Sequence, residues 1–107
     1  MLNIFYRTNG TITVSQSETD LRNLLLQDVV WIDMFDPSGE EKRLVEAFLG
    51  TEIQSRAQAE EIESSSRFRE SDTAIFANTN FLMPGPEGYG LEAVSFTIVG
   101  GCLATIR

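Results

Sequence analysis

Residues 29–50, VVWIDMFDPSGEEKRLVEAFLG, predict a buried strand, a turn and a capped helix. Residues 29–35 are apolar except for Asp33, and a short β-branched and aromatic run of this kind is typical of a strand covered on both faces. Such a strand requires helices on each side of a sheet. Asp36 and Pro37 end it, because proline cannot donate a ladder hydrogen bond and favours extended backbone in the residue before it.

The helix that follows has a start signal, an apolar face and a stop signal. Ser38 is the predicted N-cap, because Glu41 stands three residues on and can return a hydrogen bond to the Ser38 backbone. Gly50 supplies the left-handed stop. The apolar face consists of Leu44, Val45, Phe48 and Leu49. A strand that passes directly into a helix begins an α/β unit.

Before this unit, the chain predicts a hairpin and a short helix. Asn9-Gly10 is the preferred centre of a type I′ turn, so residues 2–15 should form a β-hairpin. From Ser17 the apolar spacing becomes helical, with the three leucines expected in the core. These are Leu21, Leu24 and Leu25.

After Gly50, a capping box at residues 51–54 predicts a second helix that ends in the serines 64–66. Four strands and a loop at residues 84–90 follow; the strands are predicted at residues 66–70, 75–83, 91–99 and 102–107. We therefore expect one domain, residues 1–107, of the α/β (α+β) class. It should contain a mixed parallel and antiparallel sheet of about six to seven strands, with terminal hairpins and helices packed on its faces.

Composition restricts the function. The net charge of −8 argues against nucleic acid or an anionic membrane surface as a partner, since only eight Lys and Arg are present. Without histidine the chain offers no imidazole-based acid/base pair and no histidine zinc site. Cys102 is the single cysteine, so no internal disulfide can form, and we expect a buried thiol. No spanning segment or signal peptide is recognisable, which predicts a soluble, non-secreted polypeptide.

The cluster best suited to binding a ligand is acidic. It consists of Glu60, Glu61 and Glu63, at the end of the second predicted helix. Carboxylates are the oxygen ligands that Mg²⁺ and Ca²⁺ prefer. Glu60 and Glu63 can share a helix face, whereas Glu61 points about 100° away. Nearby arginines can neutralise the same acids. The cluster is therefore either a solvated, salt-bridged helix face or a divalent-cation site. No serine stands in a nucleophile-elbow pattern, no histidine is present to activate one, and there is no glycine-rich phosphate-binding loop, so we expect no enzymatic activity.

The order of several motifs resembles the start of the cytoplasmic domain of CorA-type magnesium/cobalt transporters. In that family a Trp-Ile-Asp-Leu strand, an Asn/Asp-Pro-Thr/Ser turn and an acidic-started helix occur in this order, as in residues 30–41. Residues 60–68 resemble a Glu-Asp-Ile-Glu-x-Ser-x-Arg stretch of one branch. Residues 94–98 and 103–107 resemble its closing hairpin, which reads Val-x-Phe and then Leu-x-Thr-x-Arg.

This resemblance implies that the chain is the N-terminal scaffold or regulatory domain of a divalent-cation transporter. Family members continue into a stalk helix and two transmembrane helices with a Gly-Met-Asn motif, and assemble as pentamers at the cytoplasmic face of the inner membrane. Mg²⁺ bound between subunits would then be a regulatory ion. In one branch a Glu-Asp pair contributes to that site, but the matching positions here are Ala57 and Gln58, so Glu60, Glu61 and Glu63 are the expected substitutes.

A rival interpretation needs no transporter. The chain could be a free-standing acidic binding module without an ion role. The two hypotheses differ in what they require of the gene product, since only the transporter needs a long helix and two apolar segments after residue 107.

Overall fold

A computed structural model describes residues 1–53, 68–70 and 74–107. In these residues seven strands form one mixed sheet in the order β2-β1-β3-β7-β6-β5-β4. The β3–β7 pair is parallel and the other neighbours are antiparallel. The α/β prediction with terminal hairpins is confirmed. The strands are β1 (Leu2–Thr8), β2 (Thr11–Ser15), β3 (Val29–Met34), β4 (Phe68–Glu70), β5 (Ala74–Gly85), β6 (Gly88–Val99) and β7 (Cys102–Ile106).

The strand–turn–helix unit forms as predicted. Helix α2 (Gly39–Leu49) follows β3 after a short turn. The Ser38 hydroxyl accepts a hydrogen bond from the Glu41 N–H at 3.1 Å, and the Ser38 N–H donates to the Glu41 carboxylate at 2.9 Å. This capping box supplies partners for two polar groups at the helix start. Gly50 ends the helix with a φ of 74°.

The N-terminal hairpin is also confirmed, because Asn9 and Gly10 have φ values of 49° and 80°. Such a pair of positive φ values is typical of the type I′ turn. Helix α1 (Glu18–Asn23) starts after Ser17 as predicted, although the Ser17 side chain makes no cap bond. The prediction that Leu25 belongs to the core is wrong. The helix ends at Asn23, so Leu25 lies beyond it and is 60% exposed.

The hydrophobic core lies between one face of the sheet and the two described helices. Leu21 of α1 and Val45 and Leu49 of α2 pack on this face, and so does Ile53. A bulge where β1 pairs with β3 gives the latter one extra residue, Val30. The sheet contributes Leu2, Ile4, Val29, Ile32, Met34, Ala74, Phe76, Val99, Cys102, Ala104 and Ile106. The sequence of β3 predicted helices on both faces of the sheet, and the described helices lie on one of them.

The β5–β6 hairpin is longer than predicted. Residues 84–90 are not a loop: pairing continues to Gly85 and Gly88, and only residues 86 and 87 form the turn. Pro84 pairs with Tyr89 of β6 and lies beyond Ile75 to Ala77, the part of β5 that pairs with β4, so β4 needs no N–H from it.

Two further corrections concern turns. Asp36 has a φ of 43° and is therefore not extended, despite the proline after it. Its N–H donates to the Arg107 carbonyl at 2.9 Å, which holds the chain in this conformation. Thr51 to Ile53 are not helical, and the rest of the predicted second helix lies outside the described residues. Residues 66 and 67 of the predicted fourth strand also lie outside them.

Candidate functional site on the open face of the sheet

The face of the sheet opposite the core carries a continuous apolar row. In the strand register Phe5 lies beside Val14 on one side and Trp31 on the other. The row continues through the parallel β3–β7 pair and on to β5. It crosses six of the seven strands and consists of Val14, Phe5, Trp31, Leu103, Ile98 and Ile75. We call the surface around this row the open face.

Two residues of the row are exposed to solvent, unlike the residues of the core face. Ile98 is 41% exposed and Val14 53% exposed, whereas Ile4 and Ile32 on the core side are fully buried. The described helices α1 and α2 place their buried residues in the core cluster, which includes no member of the row. Within residues 1–53, 68–70 and 74–107, therefore, the apolar row has no helix packed on it. A contiguous apolar surface of this kind is typical of an interaction or packing surface.

Packing within the row preorganises this surface. The rings of Phe5 and Trp31 stack with a centroid separation of 4.6 Å and an interplanar angle of 14°. Because Trp31 also forms a side-chain hydrogen bond, its indole is held in one orientation. The Trp31 N–H donates to the Thr105 hydroxyl at 2.9 Å.

A polar network lies next to the row. The Thr105 hydroxyl donates to Asp33 Oδ1 at 2.9 Å. Arg107 donates to the same carboxylate from Nε at 3.4 Å and from Nη2 at 3.2 Å. Asp33 is only 6% exposed, so these partners compensate for the loss of water around a buried charge. The network joins Trp31, Thr105, Asp33 and Arg107 across the one parallel strand pair.

The Asp33 carboxylate therefore fixes a strand pairing and not the turn that follows β3. Asp33 lies in the sheet opposite Thr105, and its carboxylate bridges β3 to the end of β7. A lone acid inside an apolar strand was the available signal. Its partners could not be identified without knowing that β3 and β7 are neighbours, since they are separated by more than 70 positions.

A shallow cavity of about 260 Å³ opens beside this network. Trp31, Val94 and Phe96 form its apolar walls. Asp33, Glu92, Thr105 and Arg107 complete the lining. The Arg107 side chain is 43% exposed, and its guanidinium lies 5.3 Å from the centre of the Phe35 ring. The cavity can accept an apolar side chain, with a cationic group at its edge.

The predicted cation ligands Glu60, Glu61 and Glu63 lie outside the described residues. Among the residues that the structure does describe, no group of three Asp, Glu, His or Cys side chains is placed to hold a metal ion. Several described carboxylates have structural roles instead. Asp33 binds Arg107, Glu41 caps α2, and Glu46 accepts the Ile53 N–H at 3.0 Å. The described acids therefore do not fit a Mg²⁺ site.

Among the described residues, Glu41 and Cys102 have shifted pKa values. The hydrogen bond from the Ser38 backbone lowers the pKa of Glu41, and further lowering comes from the Met1 ammonium, which lies 3.3 Å away. Partial burial of Glu41 opposes this shift. Burial raises the pKa of the Cys102 thiol to about 11, so it is protonated at neutral pH. Neither group lies in the cavity of the open face.

Comparison with known proteins gives a consistent set of relatives. No protein-family model matches the chain. Over its whole length, however, it is 34% identical to the magnesium transport protein CorA of Sodalis glossinidius and 33% identical to that of Escherichia coli K12. It is 30% identical to CorA of Haemophilus influenzae strain Rd. The chain spans 33% of the length of each of these relatives. It is related to the CorA proteins.

Solved structures show the same fold. The complete CorA magnesium transporter of Methanocaldococcus jannaschii matches 99% of this chain with a TM-score of 0.64 at 14% identity, and the match covers 32% of that structure. The soluble domain of the same CorA matches with a TM-score of 0.62 at 17% identity, over 99% of this chain and 40% of that domain. At these identities the matches establish the fold. The CorA resemblance inferred from the motifs is confirmed by the curated relatives, which are transport proteins by name. In the described part of the chain, no helix is long and apolar enough to cross a bilayer.

Proposed function

We propose that this chain is the N-terminal cytoplasmic domain of a CorA-like divalent-cation transporter, in which it acts as a scaffold and not as an enzyme. The observation that carries the proposal is the alignment of all 107 residues with one third of proteins named magnesium transport protein CorA. Magnesium and cobalt are the proposed transported ions. Transport then belongs to the longer protein, through membrane helices that follow this domain, and the domain assembles with identical subunits into a pentamer.

The open face supports the scaffold role. A row of six apolar side chains across the sheet is unfavourable in water when left uncovered, because each Val, Leu, Ile or Phe side chain gains about 1.5–3 kcal/mol from full burial. We infer that the remaining polypeptide packs on this face. The cavity between Trp31, Val94 and Phe96 would receive one apolar side chain of that polypeptide.

A graft tests the transporter assignment. The matching third of E. coli CorA is replaced by residues 1–107, and the chimera is expressed in a bacterium that lacks its own magnesium transporters. We expect growth at low Mg²⁺ and uptake of Mg²⁺ and Co²⁺. A matched chimera with Asp33→Ala should assemble poorly, because it loses the bridge between β3 and β7. A chimera that reaches the membrane as a pentamer yet transports neither ion would contradict the assignment.

We further propose that Mg²⁺ binds at Glu60, Glu61 and Glu63 as a regulatory ion shared between subunits. Acids crowded at an interface repel one another until a divalent cation neutralises them, so loss of the ion would loosen the assembly. The support is that Glu60 and Glu63 can share a helix face, together with the similarity to CorA.

The regulatory site is tested by titrating the longer protein with Mg²⁺ while following its melting temperature, which should rise with concentration if the folded state binds the ion. Glu60, Glu61 and Glu63 are changed together to Gln, and the rise should disappear. A control variant loses the same charge at Glu40, Glu52 and Glu87, three acids that the structure shows to be exposed, and should retain the rise. An equal loss in both triple variants would show a general charge effect and no site.

The alternative, a free-standing acidic module, is distinguished by the gene product itself. A reading frame that continues into a long helix, two apolar segments and a Gly-Met-Asn motif supports the transporter. A stop codon directly after Arg107 would favour the module.

A further inference from the structure

We draw no further inference here: the strongest candidate, the cavity of the open face between Trp31, Val94 and Phe96, belongs to the surface that the proposed function already uses, and nothing in the structure shows which segment covers it.

Discussion

At the scale of single residues, Asp33 is the side chain with the greatest structural consequence. It is a buried carboxylate that accepts hydrogen bonds from Thr105, on the neighbouring strand, and from Arg107, just after that strand. A hydrogen bond to a charged group contributes about 1.5–3 kcal/mol to stability, which is more than a neutral one contributes. Leaving the donors without an acceptor adds a further cost. The bridge therefore fixes which residue of β3 lies beside which residue of β7.

We expect Asp33→Ala to lower the free energy of unfolding by about 2–3 kcal/mol, because the Thr105 hydroxyl and the Arg107 guanidinium both lose their acceptor. Asp33→Asn is the matched control. It keeps an acceptor for Thr105 but replaces the oxygen that accepts from Arg107 Nη2 with an amide donor, so the loss should be smaller, about 1 kcal/mol. Urea unfolding followed by the fluorescence of Trp31, the single tryptophan, measures both. Equal losses in the two variants would contradict a role for the Thr105 bond.

Cys102 provides a second prediction at this scale. With a pKa of about 11, its thiolate fraction at pH 8 is roughly 0.1%, compared with about a quarter for a free thiol. We expect the folded chain to react with a thiol-specific disulfide reagent at least about 100-fold more slowly than the chain unfolded in guanidinium chloride. Similar rates in the two states would mean that the thiol is accessible and the core around it is open.

At the scale of elements, helix α2 is defined by its two ends. The capping box at Ser38 and Glu41 and the left-handed Gly50 both follow directly from local sequence. The Glu41 carboxylate also lies at the positive end of the helix dipole and 3.3 Å from the Met1 ammonium. The pKa of Glu41 is lowered chiefly by the hydrogen bond from the Ser38 N–H and further by the Met1 ammonium, because both favour the charged form.

The pH dependence of stability follows from this shift. Since the pKa of Glu41 is lower in the folded state than its usual 4.5, its contribution is complete above pH 4.5 and is lost as the pH falls through the folded pKa. At pH 7 we expect Glu41→Gln to destabilise the chain by about 0.5–1 kcal/mol, because Gln keeps the cap bond but loses the charge. The difference from the wild type should shrink below pH 4.5.

Thermal unfolding at several pH values measures this difference, and Glu40→Gln is the matched control. Glu40 lies in the same helical turn and is exposed. Its removal should therefore have a smaller effect at pH 7. A Glu41→Gln difference that stays constant down to pH 3 would contradict the proposed coupling between the cap and the carboxylate charge.

At the scale of the whole molecule, the sheet is asymmetric. Among the described residues, α1 and α2 cover one face, and the other face presents the apolar row with the cavity beside it. This asymmetry agrees with a domain that completes its packing inside a protein about three times as long, as its CorA relatives are.

The asymmetry predicts that Ile98→Lys affects stability differently in the 107-residue chain and in the longer protein. Ile98→Lys should change the stability of the 107-residue chain by no more than about 0.5 kcal/mol, because the side chain is 41% exposed there. In the longer protein the same charge would be buried under the segment that covers the open face, so we expect a loss of at least about 2 kcal/mol. Melting temperatures of both forms test this.

Leu25→Lys is the control for that experiment. Leu25 is 60% exposed and lies outside the apolar row. It should be neutral in the short chain and in the longer protein. If Ile98→Lys is as well tolerated as Leu25→Lys in the longer protein, the open face is not a packing surface.

Local sequence determined the parts of this protein that depend on neighbours along the chain. The Asn9-Gly10 turn, the capping box of α2 and the Gly50 stop were predictable because each depends on backbone chemistry within a few residues. The strand pattern also predicted a mixed sheet. Leu25 was mispredicted because helix α1 ends before its apolar spacing does.

Which strands are neighbours depends on contacts between distant parts of the chain. The parallel contact between β3 and β7 joins Asp33 to Thr105 and Arg107, and no local pattern encodes a pairing across more than 70 positions. Strand order likewise separates the apolar residues into a covered face and an open face, since alternation alone assigns two faces without saying what covers either. Residues 29–50 thus specified their own strand and helix. That the Trp31 side of this strand joins the apolar row of the open face depended on the rest of the sheet.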